Sequence, residues 1–189
     1  EEQILRRFKL PLVQRFARAN RIDRRTLGDE HAQLGIVTAG KNWHDVRLAL
    51  HVLGIDEARA RALGVAVYKV GLIWPLEPEG LAEFAAGKAE LMVVEEKTAF
   101  IESQAAEQLY NAAVRPRLTG KTNGAGDALL SSDLGFEALE LALAIAQRLD
   151  ANGIGDAALQ QRVEAARSSR SVLLSIATST DVRRMPFFC

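Results

Sequence analysis

Three short apolar runs recur along the chain: Leu34-Gly35-Ile36-Val37-Thr38-Ala39-Gly40, Val65-Ala66-Val67-Tyr68-Lys69-Val70-Gly71-Leu72-Ile73 and Glu90-Leu91-Met92-Val93-Val94-Glu95-Glu96. Runs that lack polar alternation imply strands buried on both faces. Because amphipathic stretches separate them, helical crossovers join the strands and the sheet is largely parallel. The expected fold class is therefore α/β: a three-layer domain over residues 33–125, with a mostly parallel sheet between helices and extra helices at both ends.

Glycines punctuate the helical stretches. Asn42 to Leu53 places Val46, Leu50 and Leu53 on one face and stops at Gly54, and Asp56 to Leu63 stops at Gly64. Glu77 to Ala86 carries Pro78, which suits a first helical turn. Ile101 to Asn111 groups Ile101, Ala105, Leu109 and Tyr110 on one side, and Arg117-Leu118-Thr119-Gly120 comes next as a weak fourth strand. Thr122 to Asp127 reads as a loop, Phe136 to Asp150 as a helix, and Asp156 as the cap of another running to Arg167. The polar residues from Ser168 read as a linker. Residues 1–32, with Leu12, Val13, Phe16, Ala17 and Ala19 among many arginines, read as a connecting arm or amphipathic helix. Residues 126–189 read as a helical extension leading to a further domain.

Charge and cysteine usage exclude some functions. Lys plus Arg is 24 and Asp plus Glu is 24, so the chain has no bulk positive field to hold a nucleic acid. No apolar run is long enough to span a bilayer, and no membrane partner is expected. The single cysteine makes no internal disulfide, which suits a reducing, cytoplasmic setting. The chain starts without Met and stops at Met185-Pro186-Phe187-Phe188-Cys189, so it reads as a piece of a longer polypeptide.

In open parallel sheets, ligands and partners meet the carboxyl ends of the strands. Those ends bring up Lys41, Trp74, Glu95 and Glu96 as candidate substrate-side or interdomain residues. The plainer reading is a set of turns, a solvated strand end and a tryptophan packed under a helix. Gly120-Lys121-Thr122 is not a phosphate-binding loop, because Arg115 stands where the motif needs glycine. Gly124-Ala125-Gly126-Asp127 matches a turn of ribokinase-type sugar kinases, in which Asp127 would take a hydroxyl proton while backbone amides hold the phosphate. Those kinases continue directly into a helix, whereas Leu129-Leu130-Ser131-Ser132-Asp133 reads as more loop. His44 and His51 share a helical face but have no further ligands at metal-site spacing. A sugar kinase and a plain α/β protein-interaction module are two readings that these residues leave open.

Three segments together resemble the indolepyruvate ferredoxin oxidoreductases in their long, single-chain bacterial form. They are Leu34 to Lys41, then Tyr68-Lys69-Val70-Gly71-Leu72-Ile73-Trp74-Pro75-Leu76-Glu77-Pro78-Glu79-Gly80, then Val93 to Lys97 with Ile101-Glu102 and Glu107 to Asn111. The likeness covers about residues 8–121 and returns at Arg183 to Cys189. The resemblance implies a homo-oligomeric enzyme that uses thiamine diphosphate with magnesium to decarboxylate an aryl 2-oxoacid such as indolepyruvate oxidatively. Electrons would pass through iron–sulfur clusters to ferredoxin, and coenzyme A would leave as an acyl-CoA. The region looks like the transketolase C-terminal-type domain of that enzyme, which supports assembly while other domains of the parent chain hold the cofactors. On that reading no residue here is catalytic or cofactor-binding. Cys189 would ligate iron–sulfur only in the full-length parent, with a second cysteine beyond this chain. The stretch at 122–127 and the small residues around 165–180 depart from the family pattern.

Overall fold

The computed structural model describes residues 1–113, 115–132 and 135–178, with side chains as far as residue 174. Its elements begin with α1 (Glu2–Ile4), a π-helical segment (Leu5–Lys9), α2 (Leu10–Ala19), β1 (Arg24–Leu27), β2 (Leu34–Ala39) and α3 (Gly40–Val52). Then come α4 (Glu57–Leu63), β3 (Val65–Val70), α5 (Pro78–Ala85), β4 (Glu90–Val94) and α6 (Ile101–Leu109). The chain continues through β5 (Arg117–Thr119), α7 (Ala138–Ala151) and α8 (Ala157–Thr178).

One five-stranded sheet runs β1-β3-β2-β4-β5. β2 lies at its centre, with Ile36 beside Val67 of β3 on one side and Met92 of β4 on the other, both parallel. β5 is parallel to β4, and only β1 runs antiparallel, along β3. Successive side chains of a strand point to opposite faces, so the apolar runs feed two cores. Leu34, Ile36, Val65, Val67, Met92 and Val94 pack with Val46 and Leu50 of α3 and Leu141, Ile145 and Leu149 of α7. Val37, Ala66, Tyr68, Leu91 and Val93 pack with Leu81 and Phe84 of α5 and Ile101 and Ala105 of α6. The architecture is the expected three-layer α/β arrangement.

Two segments differ from the sequence reading. The arm contains a strand, β1, whose first two residues are exposed arginines. Such charge suits a sheet edge, where it deters pairing with other chains, but it hides the strand from a search for apolar runs. At its end Gly28 has φ +72°, and a Cβ there would stand 2.0 Å from the Val65 carbonyl oxygen, so only glycine lets the chain leave the edge at this point. The second difference is α8, which runs through Ser168 to Thr178 where the polar composition reads as a linker. Toward its far end Val172, Leu173 and Leu174 are more than half exposed. α7 belongs to the sheet's cover, so the layer over β4 comes from residues beyond 125. Among the described residues, no helix is long and apolar enough to cross a membrane.

Caps obey the sequence signals. Asp56 is the N-cap of α4, its Oδ1 accepting from the Arg59 N–H at 2.8 Å, and Gly64 closes that helix in the left-handed conformation. Asp56→Ala is expected to lower unfolding free energy by about 1 kcal/mol, read as a shift in urea midpoint without a change in slope.

Candidate functional site at the carboxyl rim of the sheet

The strand ends expected to carry function lie along one rim, and each candidate residue meets a different fate there. Lys41, in the first turn of α3, donates from Nζ to Asp45 Oδ2 and to Glu96 Oε1, both at 2.8 Å. The Asp45 bond, then the Glu96 bond, hold its ammonium above the ordinary lysine value. Both of its partners are carboxylates of this chain, so the cation already has its counter-charges.

Glu95 and Glu96 diverge because β4 alternates. Glu96 faces Lys41, whereas Glu95 turns to the opposite face and is 8 % exposed. Its Oε2 accepts from the Ile101 N–H at 2.8 Å and its Oε1 from the Glu102 N–H at 2.9 Å. These are orphan donors of the first turn of α6, where a carboxylate also complements the helix dipole. Behind it Lys121 donates from Nζ to the Glu95 carbonyl at 2.6 Å and to the Ser131 carbonyl at 3.0 Å. Burial pulls the Lys121 ammonium below its usual value, with the Glu95 and Glu102 charges opposing the shift. Sequence reading weighs Lys121 only as part of a phosphate loop and misses this role as a brace. Its one signal is its position directly after the weak fourth strand.

Trp74 stands apart. Among the described residues, no hydrogen bond, ion pair or ring contact joins it to Lys41, Glu95 or Glu96, and its side chain is 53 % exposed rather than packed under a helix. The peptide between Trp74 and Pro75 is cis. Gln104 of α6 clamps this loop: its amide nitrogen donates to the carbonyls of Ile73 (2.9 Å) and Phe100 (3.2 Å), and its Oε1 accepts from the Leu76 N–H (3.0 Å). Ile73, Trp74 and Phe100, each about half exposed, therefore gather around Gln104 as an apolar patch on the rim.

The other candidates are occupied elsewhere. In the segment Gly124-Ala125-Gly126-Asp127, the amides of Ala125 and Asp127 donate to Asn123 Oδ1, and Asn123 Nδ2 donates to Asp127 Oδ2 at 2.9 Å. A bridge between Thr122 and Ala128 closes the loop, and among the described residues the next helix begins only at Ala138. Two of the four amides that would cradle a phosphate, those of Ala125 and Asp127, are thus spent within the loop. His44 lies edge-on to Trp43, and both His44 and His51 stand at the surface of α3. Among the described residues, no group of three His, Cys, Asp or Glu side chains is placed to hold a metal, and Cys189 lies outside them. The rim carboxylates are bonded to backbone amides or to Lys41, so this donor set does not fit a magnesium–diphosphate group.

A comparison with curated proteins found no match. Among solved structures, a split-gene transketolase, described as an inactive β4 tetramer, is similar at 19% identity with a TM-score of 0.45, over 67% of this chain and 41% of that one. The 2-oxoglutarate:ferredoxin oxidoreductase from Magnetococcus marinus, with 2-oxoglutarate, coenzyme A and succinyl-CoA bound, is similar at 19% identity with a TM-score of 0.46. That match covers 71% of this chain and 22% of the other, so the chain spans less than half the length of either structure. A family model, the indolepyruvate oxidoreductase domain, matches residues 24–172, from the edge strand β1 into the long helix α8. The protein belongs to the indolepyruvate oxidoreductase domain family.

Proposed function

We propose that this chain is a supporting domain of a 2-oxoacid:ferredoxin oxidoreductase acting on indolepyruvate or a similar aryl 2-oxoacid. On this reading its rim packs against neighbouring domains of a longer, cytoplasmic and oligomeric polypeptide. Those domains hold thiamine diphosphate and magnesium, the iron–sulfur clusters and the coenzyme A site, and ferredoxin takes the electrons. The cofactors supply the chemistry and the protein positions them.

The apolar patch of Ile73, Trp74 and Phe100 carries this reading. It stands at the edge where open α/β sheets meet ligands and partners, and Gln104 of α6 donates to the Ile73 and Phe100 carbonyls beneath it. The neighbouring charges of Lys41, Glu95 and Glu96 are satisfied from within, which leaves apolar surface as the rim's free contact. The alternative of a sugar kinase has less support, since Asp127 is bonded to Asn123 and no described helix starts directly after it.

The test uses the longer polypeptide. Loaded with thiamine diphosphate, it is expected to reduce a viologen dye in the presence of indolepyruvate and coenzyme A, while the 189-residue chain alone does not. Replacing Ile73 and Trp74 together by serine is expected to lower that activity about tenfold or more, the loss expected of truncated interface anchors. The same pair of substitutions in the 189-residue chain leaves its melting temperature nearly unchanged, because both side chains already stand half in water. A longer polypeptide whose activity ignores the two serines overturns the reading.

A further inference from the structure

Six of the large apolar side chains exposed among the described residues lie on the helical arm that opens the chain: Ile4, Leu5, Phe8, Leu12, Val13 and Phe16. Phe8, Leu12 and Phe16 are each at least 60 % exposed. The body takes hold of the arm along α2. Ala17 is buried, Gln14 donates to the Leu76 carbonyl at 2.8 Å, and Arg18 bonds Glu83 of α5, whereas residues 1–9 are all exposed.

Ile4, Phe8, Leu12 and Phe16 recur every four residues. Four residues overshoot an α-helical turn of about 3.6. The π-helical segment Leu5–Lys9, whose i→i+5 turns are wider, takes part of that overshoot back. The four side chains therefore form one stripe about 18 Å long, on the opposite side of the arm from Gln14 and Ala17.

Cations border the stripe and lack acids. Among the described residues, Arg7, Lys9 and Arg15 form no ion pair and no side-chain hydrogen bond, while Arg6 pairs with Glu2 at 3.0 Å. The acids that do meet the arm from α5 and its cap, Glu77, Glu79 and Glu83, stand on the body side, where Arg18 faces all three. A second copy of the arm would set the same unpaired cations against one another, so like charge opposes self-pairing. An anionic surface answers them.

We propose that the arm docks on an anionic lipid surface, lying in the bilayer interface with Phe8, Leu12 and Phe16 among the acyl chains and Arg7, Lys9 and Arg15 at the level of the lipid phosphates. Phenylalanine and leucine on one face, with arginine and lysine beside them, are what an interfacial helix requires. The stems of lysine and arginine lie along apolar surface while their charged ends reach outward. The expectation of no membrane partner rests on the lack of a spanning run, and an interfacial helix needs no such run. The arm precedes the residues that the family model matches, 24–172, and its face is separate from the rim, so the function proposed above does not depend on it.

Flotation of the 189-residue chain with vesicles tests the proposal. Partitioning onto vesicles of equal parts phosphatidylglycerol and phosphatidylcholine is expected to exceed that onto pure phosphatidylcholine at least about tenfold, and to fall as salt screens the surface. Phe8→Ser with Leu12→Ser is expected to lower partitioning onto the anionic vesicles about tenfold or more, and Arg7→Gln with Lys9→Gln about tenfold. The side chains changed stand mostly in water, so both double variants should keep the wild-type melting temperature. Leu173→Ser, at an exposed apolar position of α8, should bind as wild type. No binding, equal partitioning onto the two kinds of vesicle, or full binding in either double variant overturns the proposal. A dimer in sedimentation that Phe8→Ser with Leu12→Ser dissociates also overturns it, since that result assigns the stripe to a second copy. The longer polypeptide should float with the same anionic vesicles; if only the 189-residue chain does, a neighbouring domain covers the stripe and the proposal fails.

Discussion

Replacing Arg148 by methionine costs the folded state about 3–5 kcal/mol, because it leaves a buried carboxylate with only the exposed Arg117, 3.8 Å from Oε2, as counter-charge. Glu90 opens β4 in register with Leu34 and Arg117 and is wholly inaccessible, and Arg148 of α7 is 4 % exposed. The guanidinium grips the carboxylate with two bonds, Nε to Oε1 at 2.7 Å and a terminal nitrogen to Oε2 at 2.8 Å. Thr119 of β5 donates to Oε1 at 2.7 Å, and Asn152 to Oε2 at 2.9 Å. The group thus ties three elements, β4, β5 and α7, at the end of the sheet opposite the rim that carries Lys41, Glu95 and Glu96.

The double variant Glu90→Leu with Arg148→Met is the informative companion. Removing both charges replaces an ion pair by apolar packing, which in other proteins is often neutral or stabilising. Urea unfolding should therefore place the double variant well above Arg148→Met in stability. If both lose equally, uncompensated burial of the charge is not the cause. Acid adds a second readout. Burial alone would raise the Glu90 carboxyl, but the bonds from Arg148, Asn152 and Thr119 outweigh it and hold the group below its ordinary value. A carboxyl depressed in the folded state contributes stability above its unfolded pKa of about 4.3, and that contribution is lost as pH falls through the folded value. Wild type should lose stability more steeply than the double variant below about pH 4.

Which parts of the fold are legible in sequence depends on where the partners sit. β2, β3 and β4 announce themselves because burial on both faces demands unbroken apolar runs. α4 announces itself through Asp56 and Gly64, since those residue types satisfy helix ends locally. β1 stays hidden because an edge strand gains from charge and Arg24 and Arg25 supply it. The end of α8 is masked by Ser168, Ser169 and Ser171, which favour turns and caps over helix interiors in isolation. At the rim the adjacency of Glu95 and Glu96 is visible, but their separation is not. Strand alternation sends them to opposite faces, and only the tertiary fold reveals that one meets Lys41 and the other the start of α6. Glu90 looks like a strand boundary because Arg148 and Asn152 lie far along the chain.

Glu95→Ala is expected to remove about 2–3 kcal/mol of stability, and the loss should begin in α6. Both oxygens of Glu95 are spent on the Ile101 and Glu102 amides, the first of them buried, so truncation leaves donors that water reaches poorly. Glu95→Gln keeps one acceptor but presents an amide nitrogen to the other N–H, and should lose about half as much. Glu95→Asp falls one methylene short of the helix and should resemble alanine more than glutamine. Hydrogen exchange locates the effect: protection should drop first at Ile101 and Glu102 and persist in β2 and β3. The same measurement separates two roles for this residue. If Glu95 acts through the helix, the longer polypeptide carrying Glu95→Gln should retain its KM for the 2-oxoacid and lose activity only in proportion to unfolded protein. If KM rises while exchange at Ile101 and Glu102 stays as in wild type, the carboxylate faces substrate and the capping role is wrong.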